Sequence, residues 1–360
     1  MNKITAFVLT ICITLSLFAQ QGKIDIPDLE GYITIKCDFH MHSVFSDGTV
    51  WPTVRVDEAY REGLDVISLT EHLEYRPYSN DINSSHNRSY EIAKPAAEYR
   101  NVMLIRGAEI TRSMPPGHFN ALFLSDNDAL VNEDWQLSFV EAKRQNAFIF
   151  WNHPGWVAQQ PDTTQWWPEH TQLLEQGLMH GIEVVNGSYY PEAHRWCLEK
   201  KLTLIGTSDA HSPIFPYIQG KHRTMTLIFA RSATPEAIHE ALRERRTAIY
   251  HEDFIIGEEI YLKELFENAL EWSMSKDDNV VNVTVRNNSD LIFRLKKTSH
   301  DARLIYFRNT SIDPFIIAPK STHSFTVRLL DGIQGGDINF RVDNFLVQPN
   351  EGMDYTLKIN

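Results

Sequence analysis

The stretch His40-Met41-His42-Ser43-Val44-Phe45-Ser46-Asp47-Gly48 directly follows an apolar run, residues 32–39, that is typical of a β-strand. Alternate side chains of an extended chain point to the same side, so His40 and His42 can present two imidazoles to one ion while the residues between them face the opposite layer. The stretch therefore predicts a strand that ends in a metal site, and other segments must supply the remaining ligands.

The N-terminal segment contains one charged residue, Lys3, before an uncharged apolar run from Ile4 to Phe18. A basic start, a short apolar run and a polar continuation are typical of a secretory signal peptide. The run is short for a membrane span, and no later segment has about eighteen consecutive apolar residues. We expect residues 1–20 to be a signal peptide, and the mature protein to be periplasmic or extracellular without stable membrane insertion; an uncleaved membrane anchor is the alternative.

The chain is acidic, with a formal net charge of −13. Loss of Lys3 with the signal peptide would make it about −14, a charge that disfavours a nucleic acid polymer as partner. Two cysteines remain, Cys37 and Cys197, both in apolar segments. Two buried thiols are favoured over a disulfide between them, although an exported protein meets an oxidising compartment.

Short apolar runs alternate with segments of helical period from residue 32 to about residue 250. The predicted strands are Tyr32–Phe39, Asp65–Thr70, Val102–Arg106, Phe119–Leu124, Ala147–Trp151, Gly181–Val185, Leu202–Gly206 and Thr224–Phe229, and the predicted helices are Thr53–Glu62, Trp135–Gln145, Tyr190–Lys200 and Pro235–Arg245. This alternation predicts an α/β fold of parallel strands and crossover helices. Seven or eight such units favour a closed barrel over an open sheet, and no Gly-x-Gly-x-x-Gly follows a strand to suggest a dinucleotide site.

Beyond about residue 257 the pattern changes to alternating apolar and polar residues. The predicted strands are Val280–Val285, Leu291–Leu295, Arg303–Phe307, Phe315–Ile317, Ser324–Leu329, Ile338–Val342 and Tyr355–Ile359. Such short strands separated by turn residues predict a small immunoglobulin-like β-sandwich. We therefore expect a hydrolase barrel over 21–256 and a sandwich over 257–360 that serves packing, tethering or homo-oligomerisation; a separate ligand-binding role is the alternative.

Residues that bind cations follow several of the predicted barrel strands. They are Glu71 and His72, Glu109, His153, and Asp209 and His211, while His118 stands at the start of its strand. The carboxyl ends of parallel barrel strands open on one face, so these distant residues are expected to meet there. Imidazole and carboxylate suit Zn²⁺, Mn²⁺ or Fe²⁺, and carboxylates can bridge two ions.

In these motifs the chain resembles the polymerase and histidinol phosphatase (PHP) family of metal-dependent phosphoesterases. The matching motifs cover about residues 32–250 and are His40-x-His42 with Ser46-Asp47-Gly48, Thr70-Glu71-His72, Gly107-Ala108-Glu109, Gly117-His118, Asn152-His153-Pro154 and Ser208-Asp209-Ala210-His211. The resemblance implies a distorted (β/α)7 barrel with two or three divalent ions. It implies one ion held by His40, His42, Glu109 and Asp209, a second by Glu109, His118 and His153, and a third by Asp47, His72 and His211.

The chain departs from the family pattern at two positions. Glu71 stands where relatives often have Asp, and its longer side chain could change how a carboxylate orients His72. Asp47 stands where some relatives have histidine, which bears on the third ion.

The charge of the ions would exceed that of the three ligand carboxylates, which favours an anionic substrate. The leading hypothesis is an exported phosphoesterase in which the ions lower the pKa of the attacking water, and Asp209 or His211 aids proton transfer. Arg112 and Arg223 are candidate phosphate clamps, with solvated surface arginines as the alternative. An aromatic segment could stack on a substrate or simply pack against the barrel; it contains Trp151, Trp156, Trp166, Trp167, Tyr189 and Tyr190.

Two other functions stay open. The same metal centre could hydrolyse a carboxyl ester, amide or carbamate, since the segment from Gly117 to Leu122 also resembles that branch of the family. A secreted protein that binds a ligand without turnover is the third hypothesis, and the presence of competent residues at all nine ligand positions argues against it.

Overall fold

The computed structural model describes residues 23–214, 222–308, 315–330 and 332–359. The predicted signal peptide, residues 1–20, lies outside the described residues. Within them, no helix is both long and apolar enough to cross a bilayer.

Strands and helices alternate through the first part of the chain. In order they are β1 (Ile33–Asp38), α1 (Pro52–Glu62), β2 (Val66–Leu69), α2 (Arg88–Arg100), β3 (Met103–Ile110), β4 (Phe119–Leu122), a 3₁₀ turn (Asp128–Leu130), α3 (Trp135–Arg144), β5 (Phe148–Trp151), α4 (Pro168–Glu175), β6 (Gly181–Asn186), β7 (Ser188–Tyr189), α5 (Pro191–Lys200), β8 (Thr203–Thr207), β9 (Met225–Ala230), α6 (Pro235–Arg243), β10 (Thr247–His251) and β11 (Phe254–Gly257). The eight strands and four helices predicted for this part are confirmed to within a few residues.

Local chemistry sets several helix starts. Proline occupies the first turn of α1, α4, α5 and α6, where its missing N–H costs nothing. Thr234 caps α6, its hydroxyl accepting a hydrogen bond from Ala237 N at 3.3 Å. At the other end of α1, Gly63 adopts φ 77°, a left-handed conformation that glycine tolerates.

The sheet is mixed, so the prediction of parallel strands is confirmed for only part of it. Strands β1, β2 and β3 are parallel, as are β5, β6 and β8. Strand β4 is antiparallel to β3 and β5, and β9 is antiparallel to β1 and β10. The connection from β3 to β4 contains no helix, which allows β4 to turn back along its neighbour.

Two threonines join β8 to the strands opposite it. Thr226 on β9 accepts a hydrogen bond from Gly206 N at 3.0 Å and donates to Gly206 O at 2.8 Å. Thr247 on β10 donates to Leu204 O at 2.9 Å. These hydroxyls close the barrel where β8 has no backbone ladder to β9 or β10 among the described residues.

The second part of the chain begins with α7 (Glu259–Ala269). The strands that follow are β12 (Leu270–Asp277), β13 (Val280–Asn287), β14 (Phe293–His300), β15 (Leu304–Arg308), β16 (Phe315–Ile317), β17 (Thr322–Leu329), β18 (Gly336–Gln348) and β19 (Glu351–Ile359). All seven predicted strands are present, and β12 is an additional one. One sheet has the order β12-β13-β17-β15, and the facing sheet contains β16, β14, β18 and β19.

The sandwich continues the barrel sheet. Strand β18 pairs in parallel with β11 through Ile255–Phe345 and Ile256–Leu346. Leu346 is buried in the same apolar cluster as barrel residues such as Ile182. The predicted boundary between residues 256 and 257 falls within β11, at the point where the two parts are joined. Cys37 and Cys197 are buried and unpaired.

Candidate metal centre

The segment after β1 is extended and buried. His42 N donates to Ala210 O at 3.0 Å, and Thr70 N donates to Met41 O at 2.9 Å. These bonds hold the segment between the chain that follows β8 and the chain that follows β2. The imidazoles of His40 and His42 are fully buried and face the same side of this segment, as the alternation of side chains predicts.

The structure brings all nine predicted ligands together at one end of the barrel. They fall into groups whose ligand atoms lie within 4.8 Å of one another. The groups are His42, Asp47, His72 and His211; His40, His42 and Asp209; His40, Glu109 and His153; and His72, Glu109 and His118.

The first predicted set surrounds Asp209. Its Oδ1 lies 3.1 Å from His40 Nε2 and 3.2 Å from His42 Nε2. Glu109 Oε2 lies 3.6 and 3.5 Å from the same two nitrogens. Both carboxylates therefore face the same two imidazole nitrogens, and His40, His42 and Asp209 form the mutually close group within this set.

The second set shares Glu109. Its Oε1 lies 2.9 Å from His118 Nδ1 and 3.8 Å from His153 Nε2. Asn152 donates to the same oxygen at 3.0 Å. Oε1 faces His118 and His153, whereas Oε2 faces His40 and His42 and lies 2.7 Å from Nδ1 of His72, so Glu109 is placed to bridge ions.

The third set surrounds Asp47. Its Oδ1 lies 3.2 Å from His211 Nε2 and 3.4 Å from His72 Nε2. The ring of His42 stacks on those of His72 and His211, with centroids 4.4 and 4.2 Å away. An aspartate at this position therefore reaches the imidazoles that a third ion would need.

Buried polar atoms without a suitable hydrogen-bond partner mark the same place. Among the described residues they include His40 Nε2, His42 Nε2, Asp47 Oδ1, Glu109 Oε2, His118 Nδ1, His153 Nδ1 and Asp209 Oδ1. Leaving such atoms unpaired is costly unless a ligand satisfies them. The donor set, imidazole nitrogens and carboxylate oxygens, suits two or three divalent ions.

Opposite charges control ionisation in this cluster. Burial opposes the ionisation of Glu109, but the imidazoles of His72, His118 and His40 outweigh it and hold the pKa of Glu109 well below its usual value. The pKa of Asp209 is likewise held well below its usual value, against burial, by His40, His42 and His153. Both carboxylates are therefore ionised and available as ligands.

The imidazoles respond to the carboxylates in turn. Burial lowers the pKa of His72, but Glu109 and Asp47 overcome it and raise the pKa to about 10. The pKa of His40 is raised well above its usual value by Asp209, Glu183 and Glu109, again against burial. Cations bound here would displace those protons, so binding is expected to strengthen as pH rises.

Glu183 is a fully buried carboxylate that sequence reasoning missed. Its Oε1 lies 2.7 Å from His40 Nδ1, and its Oε2 accepts from His153 N at 2.6 Å and from Asn186 Nδ2 at 2.7 Å. The available signal was a lone acidic residue in the apolar run Gly181-Ile182-Glu183-Val184-Val185, since buried charges are normally paired.

Glu71 does not orient His72, which corrects the expectation from the sequence. Its carboxylate accepts from Ser43 Oγ, from Ser43 N at 3.0 Å and from Ser46 Oγ at 2.6 Å. His72 Nδ1 instead lies 2.6 Å from Thr111 Oγ1. Glu71 therefore fixes the turn that carries His42 and Asp47.

Neither predicted arginine clamp reaches the cleft. Arg112 pairs with Glu74 at 2.8 Å and donates to the carbonyls of Asn132 and Glu133. Arg223 is buried and pairs with Glu62 at 2.8 Å and Asp38 at 3.1 Å. Both guanidinium groups have structural partners, so their prediction as substrate clamps is wrong.

Seven of the nine residues, all except His40 and His42, line a cleft of about 460 Å³. The lining contains Asp47, His72, Glu109, His118, His153, Trp156, Asn186, Gly187, Ser188, Tyr190, Asp209 and His211. Only part of the aromatic segment reaches it: Trp151 is buried and stacks on Trp196 with centroids 5.7 Å apart, whereas Trp156 and Tyr190 face the cleft. A cavity of about 530 Å³ near Lys36 and Asp65 contains none of the nine.

Comparison with known proteins identifies the family. A crystal structure from Bacteroides vulgatus, of a two-domain protein containing a predicted PHP-like metal-dependent phosphoesterase, is 52% identical with a TM-score of 0.91, over 94% of this chain and 99% of that one. The chain belongs to this PHP-like family. This PHP-like protein is therefore a metal-dependent hydrolase with a barrel and a second, immunoglobulin-like part. A family model described as an Ig-like domain matches residues 271–358 of the chain.

Two more distant relatives match shorter stretches of the PHP-like protein. An uncharacterised protein from Methanocaldococcus jannaschii is 26% identical over 190 residues, which are 50% of this chain and 83% of that protein. The DNA polymerase/3'-5' exonuclease PolX from Bacillus subtilis is 28% identical over 110 residues, 30% of this chain and 18% of that protein.

Proposed function

We propose that the protein is an exported phosphoesterase that hydrolyses a small phosphate ester at a centre of two or three divalent ions, with Zn²⁺, Mn²⁺ or Fe²⁺ as the candidates. The observation that carries the proposal is the set of buried, unpaired ligand atoms facing one another at the barrel mouth. The family assignment supports hydrolysis. That the bond hydrolysed is a phosphate ester of a small molecule is the further part of the proposal.

Three sets of ligands would hold the ions, and the first two sets would share Glu109. His40, His42, Glu109 and Asp209 would hold the first, Glu109, His118 and His153 the second, and Asp47, His72 and His211 the third. Bound there, divalent ions supply positive charge for the phosphoryl group and lower the pKa of water.

The protein's own groups would orient the ligands and move protons. Both carboxylate oxygens of Asp209 already have partners: Oδ1 faces two imidazoles, and Oδ2 accepts a hydrogen bond from Asn186 Nδ2 at 3.3 Å. His211 exposes 36% of its side chain. Of the two predicted proton-transfer groups, His211 is therefore better placed to give a proton to the departing oxygen in a two-ion centre, where the third site is empty and Nε2 is free, because Nδ1 lies 2.8 Å from Asp209 O.

The test is hydrolysis of phosphate esters by protein loaded with Mn²⁺ or Zn²⁺, compared with His40→Ala and Glu109→Ala. We expect both variants to lose at least about 100-fold in kcat/KM and to bind less metal. Full activity in both would refute the metal assignment. Turnover of carboxyl esters or amides alone, in a parallel panel, would support the alternative hydrolase.

Export is tested separately. Expression of the full chain in a Gram-negative host should give a periplasmic protein whose N-terminus lies near residue 21. Retention of residues 1–20 on a cytoplasmic protein would overturn this part of the proposal.

A further inference from the structure

Two aromatic rings stand beside the predicted ligands of the second ion. Trp156 is 43% exposed, and its ring centroid lies 5.1 Å from that of His153 and 5.7 Å from that of His118. A phosphate held near these histidines and Glu109 would therefore carry its leaving group alongside the indole.

Tyr190 borders the same side of the cleft. Its ring lies against Gly155, where a Cβ atom would come within 2.6 Å of Tyr190 Cδ1. The tyrosine hydroxyl donates to Asn186 O at 3.3 Å. Gly155 thus lets the ring approach the turn that carries Trp156.

The side-chain amide nitrogen of Asn186, which borders this rim, is already engaged. Asn186 Nδ2 donates both to Glu183 at 2.7 Å and to Asp209 at 3.3 Å. A sugar would need free hydrogen-bonding groups for its hydroxyls, whereas a flat aromatic ring needs only apolar faces. Although Ser188 also lines the cleft, the exposed indole of Trp156 and the ring of Tyr190 favour a planar aromatic leaving group over a polyhydroxylated one.

We infer that Trp156 and Tyr190 form the leaving-group side of the cleft, so that the enzyme prefers phosphate monoesters of aromatic alcohols. This inference rests on the proposed phosphoesterase function. Trp156 and Tyr190 are specificity residues in this scheme, because neither supplies a ligand atom for an ion.

Benzyl phosphate and cyclohexylmethyl phosphate provide a matched test, since they agree in charge, approximate size and leaving-group acidity and differ in planarity. Wild-type kcat/KM should favour the benzyl ester by about 3- to 10-fold, the usual effect of an aromatic pair. In Trp156→Ala the ratio should fall to about one, and Trp156→Phe should restore part of it. Calorimetry with the corresponding phosphonates should give the same ratios in Kd, and metal content should stay unchanged.

Equal hydrolysis of the two esters by the wild type, or an unchanged ratio in Trp156→Ala, would overturn the inference and leave the phosphoesterase proposal intact. A preference for glucose 6-phosphate over benzyl phosphate would overturn it in favour of a sugar ester. Hydrolysis of no phosphate ester would overturn the proposed function and this inference with it.

Discussion

Glu183 Oε1 lies 2.7 Å from Nδ1 of His40, and both side chains are fully buried. A carboxylate at Nδ1 places the proton there and leaves Nε2 free as a metal ligand. The other carboxylate oxygen binds the backbone N–H of His153, a residue held at the unusual φ of 29°. One carboxylate therefore orients ligands of two different predicted sets.

Replacing Glu183 with Gln should weaken metal binding by about 10- to 100-fold, because the amide keeps the shape and loses the charge that fixes the His40 tautomer. Calorimetric titration with Zn²⁺ or Mn²⁺ measures the change. Thr207→Val is the control, since the Thr207 hydroxyl donates to Oε1 of Glu183 at 2.5 Å without contacting a predicted metal ligand. Equal losses in the two variants would indicate general disruption rather than orientation of His40.

Asp47→Ala should remove one ion and leave the others. Asp47 faces only imidazoles of the third set and of His42, whereas Glu109 faces both other sets. Elemental analysis of purified protein should show about one equivalent less metal in Asp47→Ala and a larger loss in Glu109→Ala. If wild type and Asp47→Ala hold the same number of ions, Asp47 is not a metal ligand.

The free energy of unfolding of Arg223→Ala should be about 3–5 kcal/mol lower than that of the wild type, because the substitution leaves Asp38 as a buried charge without a counter-charge. The two side chains are 3% and 0% exposed. Urea denaturation measures the loss, and adding Asp38→Asn should recover part of it. Arg112→Ala provides a contrast, because its partners lie nearer the surface and the variant should keep its catalytic constants. Reduced activity of folded Arg112→Ala would restore its role as a clamp.

Acidification should destabilise the fold through His170. Burial lowers its pKa from 6.5 to about 4, and Nδ1 accepts from Trp167 N at 3.1 Å. The unfolded chain thus binds more protons between these values, so stability is present above 6.5 and is lost as pH falls towards 4. At about pH 5 the loss from this group is about 2 kcal/mol relative to neutral pH.

The imidazole Nε2 of His170 lies within hydrogen-bond distance of Pro116 O. In His170→Gln the side-chain amide can still donate to that oxygen, and it does not titrate. Comparing its denaturation midpoints with those of the wild type across the same pH range cancels the effect of metal loss in acid. Parallel pH profiles for the two proteins would contradict a contribution from His170.

The ligand cluster could be predicted because its spacing is local or follows strand ends. His40 and His42 alternate on the segment that directly follows β1, and Glu109, His153 and Asp209 occur where barrel strands finish. Contacts made by long polar side chains were not predictable in this way: Arg223 and Arg112 look equally available in the sequence, and only the fold pairs them with Asp38, Glu62 and Glu74.

Strand direction and three helices, α2, α4 and α7, were also beyond the pattern, and α4 is only eight residues long. Nothing in Phe119–Leu122 indicates that β4 is antiparallel, since its residues are buried on both faces like those of a parallel strand. The missed helix α2 contains Pro95 and has no clear apolar stripe. Helix α7 lies at the join between two patterns, where neither period is sustained for long.

The pairing of β11 with β18 has a consequence for separating the two parts of the protein. Cutting the chain after residue 257 would remove β18 from one edge of β11. This would uncover Ile255 and Ile256, which are each 1% exposed in the whole chain. Such an open, apolar edge recruits strands from other molecules. The sandwich thus shields the barrel from self-association, and an isolated barrel fragment is expected to precipitate even if its metal site is intact.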